Sequence, residues 1–166
     1  MKTRLVRWMV MPALLMGALA GCDGVLGGDG DEVQREEYRR ATGRWEAANL
    51  SSYSYVLTLV CSCAPASELR AVRVTVRDGA VVSRVYESND PSQRTPASAV
   101  TFGPYDTVEE LFAVVQNSIG RDADLLNVAY DPTYGVPLLL QWDPDSSDAD
   151  DNLVFQVAGF TPATGS

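Results

Sequence analysis

The sequence predicts an α+β domain: an antiparallel sheet of about six strands in two three-strand meanders, with two helices on one face (αβββαβββ). Three observations predict it. The spacing of apolar residues changes from three-and-four to two, first after Asn49 and again after Gly120. Asp78-Gly79 stands between runs of alternating valine, a strong short-range hairpin signal. Thr107-Val108-Glu109-Glu110 has the form of a capping box at the head of an apolar helical stripe.

The elements follow in order. From about Asp31 to Asn49, Tyr38, Ala41, Trp45 and Ala48 recur at helical spacing, and Glu32, Arg35, Glu36, Arg39, Arg40 and Arg44 fill the other faces. Trp45 is the expected core anchor of this helix. Tyr53, Tyr55, Leu57, Leu59, Cys61 and Cys63 then recur at every second position with Ser54, Thr58 and Ser62 opposite, which puts all six on the inward face of a first strand. Val72, Val74 and Val76 alternate with Arg73, Thr75 and Arg77. A two-residue turn at Asp78-Gly79 pairs Val76 with Val81 and Val72 with Val85. Ser88 to Tyr105 holds Pro91, Pro96 and Pro104 without any period, and is expected to be a connection crossing the sheet. Val108, Leu111, Phe112, Val115 and Ile119 line the second helix, which Gly120 stops. Leu126, Val128 and Tyr130 start the second meander. It continues through Val136 to Trp142 and Leu153 to Phe160, and a polar tail, 161–166, is expected to be disordered.

The chain ahead of this domain, which is expected to span 31–160, carries an address. Lys2, Arg4 and Arg7 give a positive start, and Trp8 to Ala20 is an uncharged, mostly apolar run. That run is shorter than the roughly 20 residues needed to span a bilayer, which favours an export signal over a transmembrane anchor. Leu19-Ala20-Gly21-Cys22 closes it. This stretch resembles the lipobox of bacterial lipoproteins. The resemblance implies a signal peptide over 1–21, diacylglycerol on the Cys22 sulfur, and acylation of the new N-terminus. Residues 22–30, rich in glycine, would then form a flexible tether. The implied location is the cell envelope, with the domain held to a membrane and facing the periplasm or the exterior.

Composition narrows the chemistry. The mature part carries ten basic against 22 acidic residues, a balance of −12, which disfavours nucleic acid as a partner. The sequence has no histidine, so Ser-His-Asp and Cys-His catalysis and His-ligated zinc are excluded together. Three cysteines are present. With Cys22 assigned to lipid, Cys61 and Cys63 remain as an even pair in an oxidising compartment. Residues two apart in an extended strand lie at the long end of the disulfide range, so a bridge needs a local kink. Either a Cys61–Cys63 disulfide or two inert thiols is expected. The flanking Val60, Ser62, Ala64 and Pro65 offer no cation to stabilise a thiolate. The alternative to a structural pair is a thiol-dependent redox protein built on Cys61-x-Cys63, since a strained bridge is readily reduced.

Taken in order, Trp45, Ser52-Tyr53-Ser54-Tyr55, Cys61-x-Cys63, Val74-x-Val76-Arg77-Asp78-Gly79, Thr107 to Phe112 and Tyr130-Asp131-Pro132-x-Tyr134-Gly135-x-Pro137 resemble a family of small bacterial lipoproteins, domain-of-unknown-function family 6174. The resemblance covers nearly all of the domain. Val136 and Asn152 depart from it, standing where an aromatic residue and a glutamate are expected. It implies a location and a fold but no activity. Fold-level analogy to tandem αβββ inhibitor proteins points to a sheet face that grips another protein.

Two stretches are candidate sites. Tyr130, Asp131, Tyr134 and Gly135 could present an aromatic grip to a ligand or partner, although turn chemistry explains most of the motif. Asp143, Asp145, Asp148, Asp150 and Asp151 supply oxygen ligands of the kind calcium takes. Against calcium, Asp148 occupies the place of the calcium-loop glycine and Val154 that of the closing glutamate, so a solvated hairpin loop is the better account. Glu109 and Glu110 are explained by capping. These readings together point to a non-enzymatic binding or accessory module without cofactor or metal. Its expected partners are a membrane, reached through Cys22, and an envelope protein.

Overall fold

The computed structural model describes residues 30–163, apart from 122 and 149. The leader, Cys22 and nearly all of the tether lie outside the described residues, as does the end of the tail, 164–166. Among the described residues, no helix is long and apolar enough to cross a membrane.

Helix α1 (Gly30–Ala48) buries Ala41 and Trp45 and sets Tyr38 against the same core. It ends where Asn49 takes the left-handed conformation, φ 48°, and its N–H returns to the Glu46 carbonyl. Six strands follow in one antiparallel sheet: β1 (Tyr53–Cys61), β2 (Val72–Arg77), β3 (Ala80–Tyr86), β4 (Leu125–Tyr130), β5 (Pro137–Asp143) and β6 (Leu153–Pro162). Their order across the sheet is β3-β2-β1-β6-β5-β4, two meanders joined by the β1–β6 pair. Tyr53, Tyr55, Leu57 and Leu59 of β1 meet Val72, Val74 and Val76 of β2 and Phe155 and Val157 of β6 on the buried face. Helix α3 (Val108–Ser118) covers that face with Val108, Leu111, Phe112 and Val115. Its capping box is complete: Thr107 accepts from the Glu110 N–H, and the Glu110 carboxylate accepts from the Thr107 N–H.

The structure corrects the sequence reading at several points. The β2–β3 hairpin keeps Val76 opposite Val81, but a bulge between Thr75 and Val76 then shifts the register. Val72 therefore faces Tyr86 rather than Val85, which sits opposite Arg73. The shift turns Arg84 inward beside Val74, where it pairs with the buried Asp106. Burial pushes the Asp106 carboxyl above its ordinary range, while the Arg84 hydrogen bond and charge pull it back.

The connection 88–105 is not without structure. It holds a 3₁₀ turn at Pro91–Gln93, the one-turn helix α2 (Ala99–Phe102) and a second 3₁₀ turn at Gly103–Tyr105, so the described residues hold three α-helices where two are expected. Elements this short show no apolar period, and only the Ser98 side chain, accepting from the Thr101 N–H, marks the α2 start. At the other end of the chain, β6 runs two residues past the expected boundary at 160. Thr161 and Pro162 pair with Ser54 and Tyr53, and the Ala163 N–H donates to the Ser52 carbonyl. A polar sequence was no bar to strand here, because the neighbouring β1 backbone needs a partner.

One glycine fixes how the helix layer meets the sheet. Gly135 has φ 79°, and a Cβ placed on it would overlap the carbonyl of Ala41 in α1. Gly135→Ala therefore combines a backbone clash with left-handed strain. It is expected to destabilise the fold by about 2–4 kcal/mol. Urea unfolding of the variant beside the parent measures this, and a change within half a kcal/mol would refute the close contact.

Candidate functional site

The turn after β4 is the first candidate. The Asp131 carboxylate accepts from the N–H groups of Thr133 and Tyr134, and the Asp131 N–H donates to the Val136 carbonyl. Gly135 is buried against α1, as described. Tyr134 packs on Phe160, with ring centres 5.6 Å apart, and Tyr130 stacks on Phe112 at 6.3 Å. The structure thus brings Tyr130, Asp131, Tyr134 and Gly135 into one turn, and three of the four have a local structural role. Tyr130 is the exception. Its ring is held by Phe112, but its hydroxyl is buried with no hydrogen-bond partner among the described residues, and burial raises its pKa.

The acidic loop after β5 does not converge. Asp145 accepts from the N–H and hydroxyl of Ser147, Asp148 accepts from the Asp150 N–H, and Asp124 reaches across to Ser146. Those serine donors hold the Asp124 and Asp145 carboxyls below their ordinary range. Among the described residues, no group of three or more Asp, Glu, Cys or His side chains is placed to hold a metal ion.

Cys61 and Cys63 form a disulfide, with Cα atoms 5.2 Å apart. The inward placement expected for both fails at Cys63, while Cys61 is half-buried at the end of β1. β1 ends at Cys61, the chain turns at Ser62, and Cys63 is exposed. The turn supplies the kink that a bridge between residues two apart requires.

The sequence reading passed over a groove of about 480 Å³ between the end of α1 and the start of α3. Trp45 and Phe112 form its aromatic wall, and Glu46 and Glu109 bring two carboxylates to it. The Glu109 carboxylate is held by the Trp45 indole N–H at 2.9 Å and by the Tyr53 hydroxyl at 3.4 Å. Tyr53 in turn accepts from the Val108 N–H at 3.0 Å. Burial pushes the Tyr53 phenol well above its ordinary range. Neither Glu46 nor Glu109 has an ion-pair partner among the described residues. The last turn of α1, which borders the groove, carries no basic residue, so its carbonyl end adds to the negative potential. The Thr42 hydroxyl, also on the groove, donates to the helix carbonyls of Tyr38 and Arg39. The signal available in sequence was Glu109 itself, outside the capping pair and one helical turn from Phe112.

A family model described as a family of unknown function, DUF6174, matches residues 37–162. The chain belongs to that family. The match begins inside α1 and ends at the last residue of β6, so it takes in the whole sheet and the groove at Glu109. No curated protein and no solved structure matches the chain.

The disulfide has a direct test. If Cys61 and Cys63 serve structure alone, a maleimide label should add to neither in the native, unreduced protein, and to both after reduction. Reduction should change stability by no more than about 1–2 kcal/mol, because the loop it opens is so small. Rapid labelling of a low-pKa thiol in the native protein would instead support redox chemistry.

Proposed function

We propose that this DUF6174 chain is a lipid-anchored, non-catalytic binding module of the cell envelope, and that its groove between α1 and α3 takes a cationic group carried on an apolar stem. The location rests on the charged start, the short apolar run and the lipobox-like Leu19 to Cys22. Two or more acyl chains at Cys22 would make a stable anchor where one would be marginal.

The observation that carries the binding reading is the state of Glu109. Two donors from the core orient its carboxylate beside an aromatic wall, and a second carboxylate, Glu46, lines the same groove. A positive charge there meets an oriented carboxylate, a second carboxylate and a helix C-terminal end beside an indole ring. A lysine side chain of an envelope protein fits this description: its methylene stem can lie on Trp45 and Phe112 while the ammonium reaches Glu109. Turnover would need a nucleophile activated by a base. The Thr42 hydroxyl is turned to the helix backbone and the Glu109 oxygens already accept from two core donors, which supports binding over catalysis.

Two measurements check the two halves of the proposal. Metabolic labelling with a fatty acid should mark the parent and not Cys22→Ala, and equal labelling of both would refute the anchor. For the groove, the probe is a lysine blocked at its α-amine and carboxyl with the ε-ammonium free, followed through the Trp45 indole N–H resonance. Glu109→Gln should weaken its binding roughly tenfold, about 1.4 kcal/mol, while Glu32→Gln on the far end of α1 leaves it unchanged. Equal weakening by both would reduce the effect to overall charge and remove the site.

A further inference from the structure

The two edges of the sheet are treated differently. β3, at one edge, is covered: the Tyr86 N–H donates to the Thr95 carbonyl, the Ala97 N–H donates to the Arg84 carbonyl, and Val85 bridges to Pro96. β4, at the other edge, has no such cover among the described residues. Its sequence, Leu125-Leu126-Asn127-Val128-Ala129-Tyr130, contains no charge and no proline, the usual devices that keep an edge from pairing.

A groove of about 360 Å³ follows this edge. Val128 and Tyr130 point to the helix side of the sheet and Ala129 to the opposite side, so a groove touching all three runs along the backbone edge. Its other wall is α1, with Glu37, Arg40 and Arg44. Arg40 is paired with Glu36. The Arg44 Nε–H is buried without an acceptor, as is the Tyr130 hydroxyl. Two buried donors thus lack acceptors beside an uncovered strand, a combination that costs stability in the lone chain.

We propose that β4 pairs antiparallel with β4 of a second copy, joining two sheets into one of twelve strands. Side chains opposite each other in an antiparallel pair share a face, so a two-fold register must centre on a residue. Centred on Asn127, the register sets Asn127 opposite Asn127, Leu126 opposite Val128, and Leu125 opposite Ala129, apolar with apolar on both faces. One step further, Asp124 of the second copy falls opposite Tyr130, beside Arg44. Asp124 uses Oδ2 for both Ser146 donors, which leaves Oδ1 for the new contacts. Each copy thereby supplies the acceptor that the other lacks. A foreign strand could use the same edge, but the acceptor at the matching position in this chain's own sequence favours self-pairing. This inference does not depend on the groove at Glu109.

The register makes a sharp test possible. Asn127 is the only position opposite its own copy, with Cα atoms about 4.5–5.5 Å apart, within disulfide reach. Full-length Asn127→Cys, oxidised in isolated membranes, should give a reducible dimer in a non-reducing gel. Leu125→Cys and Ala129→Cys should each give at least tenfold less, and the two expressed together should recover the cross-link. Asn127→Lys, on an exposed position, should leave the circular dichroism unchanged and shift sedimentation in detergent from dimer to monomer. Equal cross-linking at all three positions would mean random collision and overturn the proposal. So would a parent chain that sediments as a monomer, including one in which Asn127→Lys abolishes binding of some other protein.

Discussion

The fold depends on how β1 satisfies two buried phenols. β1 is one of the two central strands, and its inward face carries Tyr53 and Tyr55 in the layer where other strands carry valine and phenylalanine. Each ring adds apolar area to the core, and each hydroxyl must find a partner there or cost about 1–3 kcal/mol. Tyr55 donates to the Tyr105 carbonyl at 2.6 Å, and Tyr53 accepts from Val108 and donates to Glu109. The partners all lie between residues 105 and 109. The sheet therefore fastens the entry to α3 by hydrogen bonds whose geometry is fixed from below, and the capping box then sets the helix direction. The groove at Glu109 is a by-product of the same arrangement. The carboxylate is oriented by the residues that dock the helix, so its position is as rigid as the core.

The helix layer is held from the other side by a steric rule rather than a polar one. Gly135 allows the β4–β5 turn to reach the backbone of α1 at Ala41, which draws the second meander under the first helix. Aromatic contacts then run without a gap from Trp45 through Tyr53 and Phe160 to Tyr134. The two meanders thus meet twice, once through the β1–β6 ladder and once through this aromatic row. Loss of either contact would leave the other pinned, which places the cooperative unit at the level of the whole sheet rather than of one αβββ half.

How much of this was legible in the sequence follows from the range of each interaction. Helical and period-two apolar runs and the Thr107 box are local, and they located both long helices and all six strands. The β2–β3 register was misread because a bulge is a one-residue event that leaves the alternation of Val72, Val74 and Val76 intact. Its consequence, Arg84 turned inward, needed Asp106 from another segment and so had no local sign. Cys63 looked inward because alternation was carried two residues beyond the strand's end; the turn at Ser62 broke it. The glycine and aspartate of the Tyr130 to Pro137 turn were recognised for their backbone roles. The value of Tyr130, by contrast, depends on Arg44, 86 positions away by the numbering, and no pattern in one dimension joins them.

The two edges show how an acidic chain can still leave a place for association. With ten arginines against 22 acidic residues between positions 22 and 166, random encounters between copies are repulsive. Repulsion of that kind is long-ranged and screened by salt over about 8–10 Å, so it discourages approach without forbidding a short-range match. At β4 the match is made of uncharged residues, which carry no like-charge penalty across the strand pair. The covered β3 edge and the uncovered β4 edge then act as opposite decisions in one sheet. Where pairing is excluded, Thr95 to Ala97 occupies the backbone groups; where it is allowed, the adjacent donors on Arg44 and Tyr130 make only a strand with an acceptor at the right position profitable to accept. Selectivity on that edge would thus come from unsatisfied polar atoms, while the backbone ladder supplies the affinity.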